Sequence, residues 1–223
     1  MGICVLIPTY NEAKIIGPLV KEIKELGFDT VVIDDGSIDS TVSLAEEAGA
    51  VVLKTEINQG KGMSLRRGFA YVLKHSYDII IIMDGDGQHA PSNIKNFIRE
   101  LNNSHADLII GNRMHKPKGM PLERWLTNNI MSFFVSFVCR QHIPDSQCGF
   151  RLIKKRVLEV IYLKSKNFQI DSEIIIQTHR KGFKIGSCPI DTIYTGSLSK
   201  INPIIDAFRF ARFMLHKMLI ERK

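Results

Sequence analysis

The 223-residue sequence contains only four cysteines, and no two of them stand at a metal-binding or redox spacing. They occupy positions 4, 139, 148 and 188, so there is neither a C-x-x-C motif nor a closely spaced pair. This pattern excludes a zinc ribbon and a disulfide framework. Reduced thiols in a cytosolic setting are therefore predicted.

A long apolar run is also absent. The longest candidate, at 130–138, is interrupted by Ser132 and Ser136 and falls well short of the roughly 20 residues that span a bilayer. The sequence begins with no basic leader, and Leu6 stands where a myristoylation signal needs serine or threonine. The expectation is a cytoplasmic protein, with peripheral attachment to the cytoplasmic membrane face left open.

The composition is that of a globular domain, with 44% hydrophobic and 24% charged residues. A single domain over residues 1–223 is the simplest organisation at this length. The net charge of +7 suits an anionic partner, which nucleic acid, a phosphate-bearing substrate or an acidic membrane would each provide. Charge alone does not choose among them.

The first half of the sequence alternates strand-like and helix-like patterns. Strands are predicted at 3–7, 30–34, 51–53, 79–83 and 108–110, and helices at 13–26, 40–48, 62–74 and 91–101. The second half predicts helices at 123–140, 170–181 and 203–220, a strand or turn before a helix within 151–163, and strand character at 183–194. Such alternation favours a parallel sheet covered on both faces, with ligands at the carboxyl ends of the strands.

Three polar motifs stand immediately after predicted strands, and the sharpest is DGDGQ at 84–88. Alternate residues of an extended segment point the same way, so Asp84, Asp86 and Gln88 offer three oxygen donors from one side. Mg²⁺ and Mn²⁺ prefer such ligands. The alternative is a simple Asp-Gly turn. A calcium EF-hand is excluded, because His89 and Lys95 replace its glycine and its bidentate glutamate.

The second motif is DDGS at 34–37, where a carboxylate past a strand can accept a hydrogen bond from a nucleobase or a ribose. The alternative is a turn without ligand, with Asp39 or Ser40 capping the next helix. In the third motif Lys61 lies between two glycines at a predicted helix start, where free N–H groups and the helix dipole favour a phosphate. Thr55 and Gly62 depart from the Walker A pattern.

The ordered segments VLIPTYNE, VVIDDGSIDST, NQGKGMSLRRGF, IIIMDGDGQH and GNRM resemble the family 2 glycosyltransferases with the GT-A fold. The likeness is greatest to the dolichyl-phosphate mannose synthases and related polyprenyl-phosphate glycosyltransferases. It continues through DSQCGFRLIKKRVL and TGSLSKINPI, almost the whole chain. It implies a Rossmann-like α/β fold with a mostly parallel sheet flanked by helices. A nucleotide-sugar half at 1–113, an acceptor-side half at 114–200 and a C-terminal amphipathic helix at 201–223 would follow.

The resemblance also implies roles for individual residues. The donor nucleotide-sugar would contact Pro8, Tyr10, Glu12, Asp35, Lys61 and Asp84, and later a closing pair, Ser199 and Lys200. A Mg²⁺ or Mn²⁺ ion would be held by Asp84, Asp86 and Gln88. The phosphates would meet Arg113 and Arg124, and the acceptor would meet Gln147 and Arg151. The residues predicted to be catalytic are Asp86, Arg113 and Arg124. The sequence departs from the mannose synthases at Tyr194-Thr195-Gly196, where a basic residue is common.

The mechanism implied is a single inverting displacement at the sugar. A polyprenyl-phosphate acceptor is already anionic near neutral pH and needs little help from a base. A sugar hydroxyl would need one, and Asp171 and Glu173 are the candidates. The alternative for both is that they are helix-start acids favoured by the dipole.

Two segments are candidates for membrane contact. The predicted C-terminal helix carries apolar residues at helical spacing and a basic face, as helices lying on anionic membranes do. Its apolar positions are Ile201, Ile204, Ile205, Phe208, Ala211, Leu215, Met218 and Leu219. Ile130–Phe134 is the second segment. The alternative is a helix packed on the core with a solvated basic face.

Three other functions remain as alternatives. One is a family 2 transferase that glycosylates a saccharide hydroxyl in cell-surface polysaccharide synthesis, and another is an inactive nucleotide-sugar sensor. A nucleic-acid-binding module is suggested only by the net charge, and no nucleic-acid partner is expected. The sequence leaves the donor open between the GDP-mannose and UDP-glucose types, and it leaves any protein partner open.

Overall fold

The computed structural model describes residues 2–117, 119–193 and 210–215. The first half alternates strands and helices as β1 (Ile3–Thr9), α1 (Ile16–Glu25), β2 (Asp29–Asp34), α2 (Thr41–Glu47), β3 (Val51–Lys54), α3 (Lys61–Leu73), β4 (Ile79–Ile82), a 3-10 turn (Pro91–Asn93), α4 (Ile94–Ser104) and β5 (Leu108–Asn112). The second half follows as α5 (Leu122–Cys139), β6 (Arg151–Lys154), α6 (Lys155–Leu158), α7 (Gln169–Arg180) and β7 (Ile185–Pro189).

The strands form one seven-stranded sheet in the order β3-β2-β1-β4-β6-β5-β7. Strands β1 to β4 pair in parallel, and so do β5 and β7, whereas β6 runs antiparallel between β4 and β5. The mostly parallel GT-A-type sheet predicted from the sequence is therefore confirmed. Because Ile82 pairs with Arg151, the chain just before β6 arrives beside the carboxyl end of β4.

The helices flank this sheet with the periodicity that the sequence predicts. Helix α1 buries Ile16, Leu19, Val20 and Ile23 on one face. All four isoleucines of β4 are buried, as expected for a central strand covered on both faces. The carboxyl end of β4 therefore emerges from the middle of the core.

Residues 210–215 are helical, within the predicted C-terminal helix. Phe210 and Met214, one turn apart, join the hydrophobic core. Ala211 and Leu215, which the predicted apolar stripe included, are exposed. The buried face of this short segment thus differs from the expected one. The other positions of the predicted stripe lie outside the described residues.

All four cysteines are free and buried. Burial raises the pKa of the Cys4, Cys139 and Cys148 thiols to about 12 and that of Cys188 to about 11. Since the thiolate is the reactive form, we expect no thiol of the native protein to react with Ellman's reagent at pH 8 within minutes. All four should react in denaturant. Rapid reaction of any one in the native state would contradict the fold described here.

Within the described residues, every helix is too short or too polar to cross a membrane.

Candidate active site

The loop after β1 and the loop after β2 hold each other in place. Asn11 adopts a left-handed conformation, with φ of 53°. Its backbone N–H donates to Ser37 Oγ at 2.8 Å, and its side-chain Oδ1 accepts from the Ile38 N–H at 2.9 Å. The Glu12 N–H donates to Thr41 Oγ1 at 2.8 Å. The polar residues of these motifs therefore fix the edge of the sheet, and Tyr10 and Glu12 are half-buried there beside the buried Pro8.

Asp39 supplies the side-chain cap of α2. Its Oδ1 accepts from the Thr41 N–H at 3.0 Å and its Oδ2 from the Ala13 N–H at 3.2 Å. Ser40, the alternative, makes no side-chain cap bond. One carboxylate thus ties α2 to the loop after β1.

Asp35 binds the loop that precedes α3. Its two carboxylate oxygens accept from the backbone N–H groups of Gln59 at 3.0 Å and Gly60 at 2.8 Å. In the structure Asp35 positions this loop, and its contact with a nucleobase stays a prediction. The neighbouring Asp34 accepts from the Ser37 N–H at 3.0 Å, while its buried Oδ1 has no hydrogen-bond partner.

The glycines beside Lys61 serve close packing. A Cβ on Gly60 would lie 2.7 Å from Lys166 O, and one on Gly62 would lie 2.3 Å from Ser165 O. The Gly62 and Met63 N–H groups donate to Lys166 O at 2.8 and 3.3 Å. Lys166 O therefore already accepts from two N–H groups of this helix start, and a phosphate contact at Lys61 stays a prediction.

The Lys61 side chain bridges two carboxylates. Its Nζ lies 2.8 Å from Asp84 Oδ1 and 3.0 Å from Asp171 Oδ2, and the side chain is only 12% exposed. Burial acts to lower the pKa of Lys61, but the charges of Asp171 and Asp84 overcome it and raise that pKa. Lys61 is thus positively charged and lies at the carboxyl end of β4.

Asp84 and Asp86 both lie at the carboxyl end of β4, and their pKa values are shifted in opposite directions. Burial acts to raise the pKa of Asp84, but the charges of Lys61, His89 and Arg113 and the hydrogen bond from Lys61 together outweigh it and lower that pKa to about 2. Burial and the charge of Asp84 raise the pKa of Asp86. Gly149, just before β6, leaves room for Asp84, since a Cβ there would lie 2.1 Å from Asp84 Oδ2. The antiparallel strand thus provides one wall of the site.

The donor set at this edge fits a hard divalent cation. Asp84 and Asp86 are close enough for one carboxylate to perturb the other, and a divalent cation would relieve their repulsion. Among the described residues no three His, Cys, Asp or Glu side chains gather as a metal site. Two carboxylates with the Gln88 amide match the sparse protein ligation of Mg²⁺, which keeps waters and adds substrate phosphates. These residues remain a proposed site.

Arg113 is locked to a buried carboxylate. Its Nε and Nη2 donate to the two oxygens of Asp145 at 2.8 and 2.9 Å, and its backbone N–H adds a bond at 3.1 Å. Asp145 is fully buried and Arg113 is 4% exposed. The sequence analysis did not identify Asp145. Its signal was its place as the first residue of DSQCGFRLIKKRVL, a segment of the family resemblance in which it was given no role.

The other acceptor-side predictions fall in different places. Arg124 is half-buried on the first turn of α5. Gln147 Nε2 donates to Ser146 Oγ at 2.8 Å and Ser172 Oγ at 3.1 Å. Arg151 is fully buried and donates to the backbone carbonyls of Cys148, Ser146 and Asp171. Its guanidinium thus binds backbone carbonyls and lies 3.7 Å from Asp171 Oδ1, and its contact with the acceptor stays a prediction. Ser199 and Lys200 lie outside the described residues.

His89 is a site residue to which sequence reasoning assigned no function. It is 3% exposed and its Nδ1 has no hydrogen-bond partner. Burial lowers the pKa of His89 to about 4, with Asp84 and Arg113 among the charges that act on it. Its place directly after DGDGQ was the available signal.

The family model for Glycosyl transferase family 2 matches residues 4–162. The chain belongs to glycosyltransferase family 2. Family membership supports the predicted glycosyltransferase over a nucleic-acid-binding module.

Two relatives match this glycosyltransferase over nearly their whole length. One is a UDP-N-acetylglucosamine–dolichyl-phosphate N-acetylglucosaminyltransferase of Methanococcus voltae, 30% identical, over 97% of this chain and 96% of that protein. The other is an uncharacterized protein of Methanocaldococcus jannaschii, 33% identical, over 99% and 92%. Among solved structures, Mycobacterium tuberculosis glucosyl-3-phosphoglycerate synthase with Mn²⁺, UDP and phosphoglyceric acid matches 98% of this chain and 77% of its own. Its TM-score is 0.74 and its identity 17%, which is a likeness of fold.

Gly149 offers a direct test of the wall beside Asp84. Gly149→Ala would place a methyl group where the Asp84 carboxylate lies, so that this side chain must leave its present position, in which Oδ1 pairs with Lys61. We expect glycosyl transfer to fall by roughly 10–100-fold, as when a supporting residue of a metal ligand is lost. The melting temperature should change little, because a side-chain end can move. Unchanged activity would show that the position of Asp84 does not matter.

Proposed function

We propose that this family 2 glycosyltransferase transfers a hexose or N-acetylhexosamine from a nucleotide-sugar to a polyprenyl phosphate, with inversion and with a divalent cation. The main support is helix α5, which has Arg124 on its first turn and a row of exposed apolar side chains after it. These are Trp125, Leu126, Ile130, Phe133, Phe134 and Phe137, each at least 39% exposed. An arginine beside an exposed apolar surface matches a phosphate that carries a hydrocarbon tail.

The relative from Methanococcus voltae supports the same acceptor class, because its name specifies dolichyl phosphate and the match is nearly full-length. Its name also favours a uridine nucleotide for the donor. The proposal places the protein peripherally on a membrane, where such an acceptor is held by its tail.

The two candidate bases are both engaged within the protein. Asp171 is 3% exposed and bound to Lys61, and Glu173 Oε2 accepts from the N–H groups of Lys164 and Ser165 at 2.9 and 2.8 Å. A hydroxyl acceptor would need one of them free to take a proton. A phosphate acceptor does not, which favours the lipid phosphate over the saccharide hydroxyl.

The roles of the chain's own residues follow from their charges. Asp84, Asp86 and Gln88 would hold Mg²⁺ or Mn²⁺, which when bound supplies Lewis-acid stabilisation of the departing diphosphate. Arg113 and Arg124 would orient phosphate, and Lys61 adds positive charge beside the site. The acceptor phosphate oxygen attacks the anomeric carbon as the bond to the nucleoside diphosphate breaks.

A two-acceptor assay tests the proposal. The purified protein is given radiolabelled UDP-N-acetylglucosamine, UDP-glucose or GDP-mannose, with either a dolichyl-type polyprenyl phosphate or a mixture of saccharides. Label should enter the organic phase with one donor and polyprenyl phosphate, and EDTA should stop it. Label transferred only to saccharide would sustain the hydroxyl-acceptor alternative instead.

The exposed face of α5 gives a separate prediction. Replacing Phe133 and Phe137 together by serine should weaken binding to anionic vesicles by at least about tenfold, since each buried phenylalanine contributes roughly 1.5–3 kcal/mol. Tyr162→Ser removes an equally exposed aromatic outside α5 and should have no such effect. Vesicle cosedimentation measures both. Equal losses of vesicle binding in the two variants would mean that α5 is not the contact surface. Nucleotide binding by each variant serves as the folding control.

A further inference from the structure

The Lys61 ammonium binds one of the proposed metal ligands. Its Nζ lies 2.8 Å from Asp84 Oδ1, which is ion-pair distance, and it also reaches Asp171 Oδ2 at 3.0 Å. A divalent cation coordinated by the same oxygen would lie within contact range of the ammonium. Because two cations repel strongly at such a distance in a buried site, both cannot hold this oxygen together.

The backbone of Lys61 is held on both sides. The preceding loop is bound by Asp35, and Gly60 and Gly62 pack against the backbone of residues 165–166 with no room for a Cβ. Only the flexible four-carbon side chain of the lysine is therefore free to respond to a second cation.

One oxygen of Asp84 packs against Gly149. A Cβ on Gly149 would lie 2.1 Å from Asp84 Oδ2, so the backbone of Gly149 lies close to this short side chain. The response to a metal ion therefore falls on Lys61 rather than on Asp84.

Asp171 can remain the ion-pair partner of the Lys61 ammonium when a divalent cation binds Asp84. Its backbone carbonyl accepts from the buried Arg151, and its backbone N–H donates to Phe168 O at 3.2 Å. Asp171 is thereby fixed, and its Oδ2 needs no movement to remain the partner of Lys61.

We propose that Lys61 is the resident counter-cation of Asp84 in the metal-free protein and that it passes wholly to Asp171 when a divalent cation binds Asp84. This inference rests on the proposed function, since it takes Asp84 as a metal ligand. Metal binding and the Lys61–Asp84 ion pair then exclude each other. Asp171 is then the ion-pair partner of Lys61 in the metal-bound protein. Lys61 and Asp171 are therefore positioning residues for the metal.

The direct test follows the Lys61 ammonium by ¹⁵N NMR in protein labelled at the lysine side chains. Lys61→Arg assigns the signal. During a Mg²⁺ titration with UDP present, the Lys61 signal should shift in step with metal binding measured by calorimetry. The signal of Lys154, which pairs with Asp107 at 3.1 Å far along the sheet, should not shift. Metal binding with an unmoved Lys61 signal overturns the exchange while leaving the proposed function intact.

Variants supply an independent measurement. Lys61→Met removes the competing cation, so Mn²⁺ without nucleotide should bind at least about tenfold more tightly than to the wild type, a coupling of ordinary size. Lys154→Met is the matched control and should leave the affinity unchanged. Equal or weaker Mn²⁺ binding by Lys61→Met contradicts the proposal. If the wild type binds no metal even with nucleotide, the metal requirement of the proposed function fails along with this exchange.

Discussion

Asp86→Asn should lower glycosyl transfer by at least about 10³-fold, because several kcal/mol of metal-derived stabilisation of the leaving group would be lost. The protein should remain as stable at pH 7 or become more stable. Asp86 is a buried carboxylate whose pKa is raised by burial and by Asp84, so its charged form opposes folding above that pKa. Asparagine removes this cost and can still accept from the Gln88 N–H, now 3.0 Å from Asp86 Oδ1.

Rate and melting temperature measured on one preparation test this pairing of effects. Glu159→Gln neutralises an exposed acid and serves as the control, with both quantities expected unchanged. A variant that loses activity together with several degrees of melting temperature would mean that Asp86 is structural. A variant that keeps activity would remove Asp86 from the proposed metal site.

Asp145→Asn should reduce the free energy of unfolding by about 3–5 kcal/mol, the usual cost of leaving a buried charge without its partner. The fully buried Asp145 carboxylate holds the Arg113 side chain through two hydrogen bonds and its backbone N–H through a third. Urea denaturation measures the loss. Because the Asp145 carboxylate would no longer position Arg113, transfer should fall as well.

A double-mutant cycle measures the interaction free energy between Arg113 and Asp145. Arg113→Met combined with Asp145→Asn should cost clearly less than the sum of the single variants, because both members of the Arg113–Asp145 ion pair are removed together. Asp29→Asn alters an exposed pair, 3.7 Å from Lys24, and should cost under about 1 kcal/mol. If Asp145→Asn costs no more than Asp29→Asn, the buried pair does not stabilise the fold.

The fold was largely predictable because local signals decide it. The apolar run at 79–83 and the helical spacing of Ile16, Leu19, Val20 and Ile23 are periodic patterns, and both elements formed where predicted. The antiparallel insertion of β6 between β4 and β5 was not predicted. Pairing between distant segments depends on tertiary packing, which no local pattern in 151–154 encodes.

In the site, residue types were easier to predict than partners. DGDGQ marked the carboxyl end of β4 correctly, but the ion pairs of Lys61 join this lysine to Asp84 and Asp171, which are 23 and 110 positions away along the chain. The glycines around Lys61 suggested a phosphate loop, and in the structure they also allow close contact with the backbone of residues 165–166. A glycine needed for close approach and one needed for a ligand look alike in sequence. The Arg113–Asp145 pair was not predicted either, because it also joins residues that are distant along the chain.

Calorimetric titration of the free protein with UDP and GDP will show whether a metal-dependent donor site lies at the carboxyl end of β4. With Mn²⁺ present, one of the two nucleotides should bind, and EDTA or Asp86→Asn should abolish that binding. The same affinity in EDTA, or no binding of either nucleotide with Mn²⁺, would contradict the site as described.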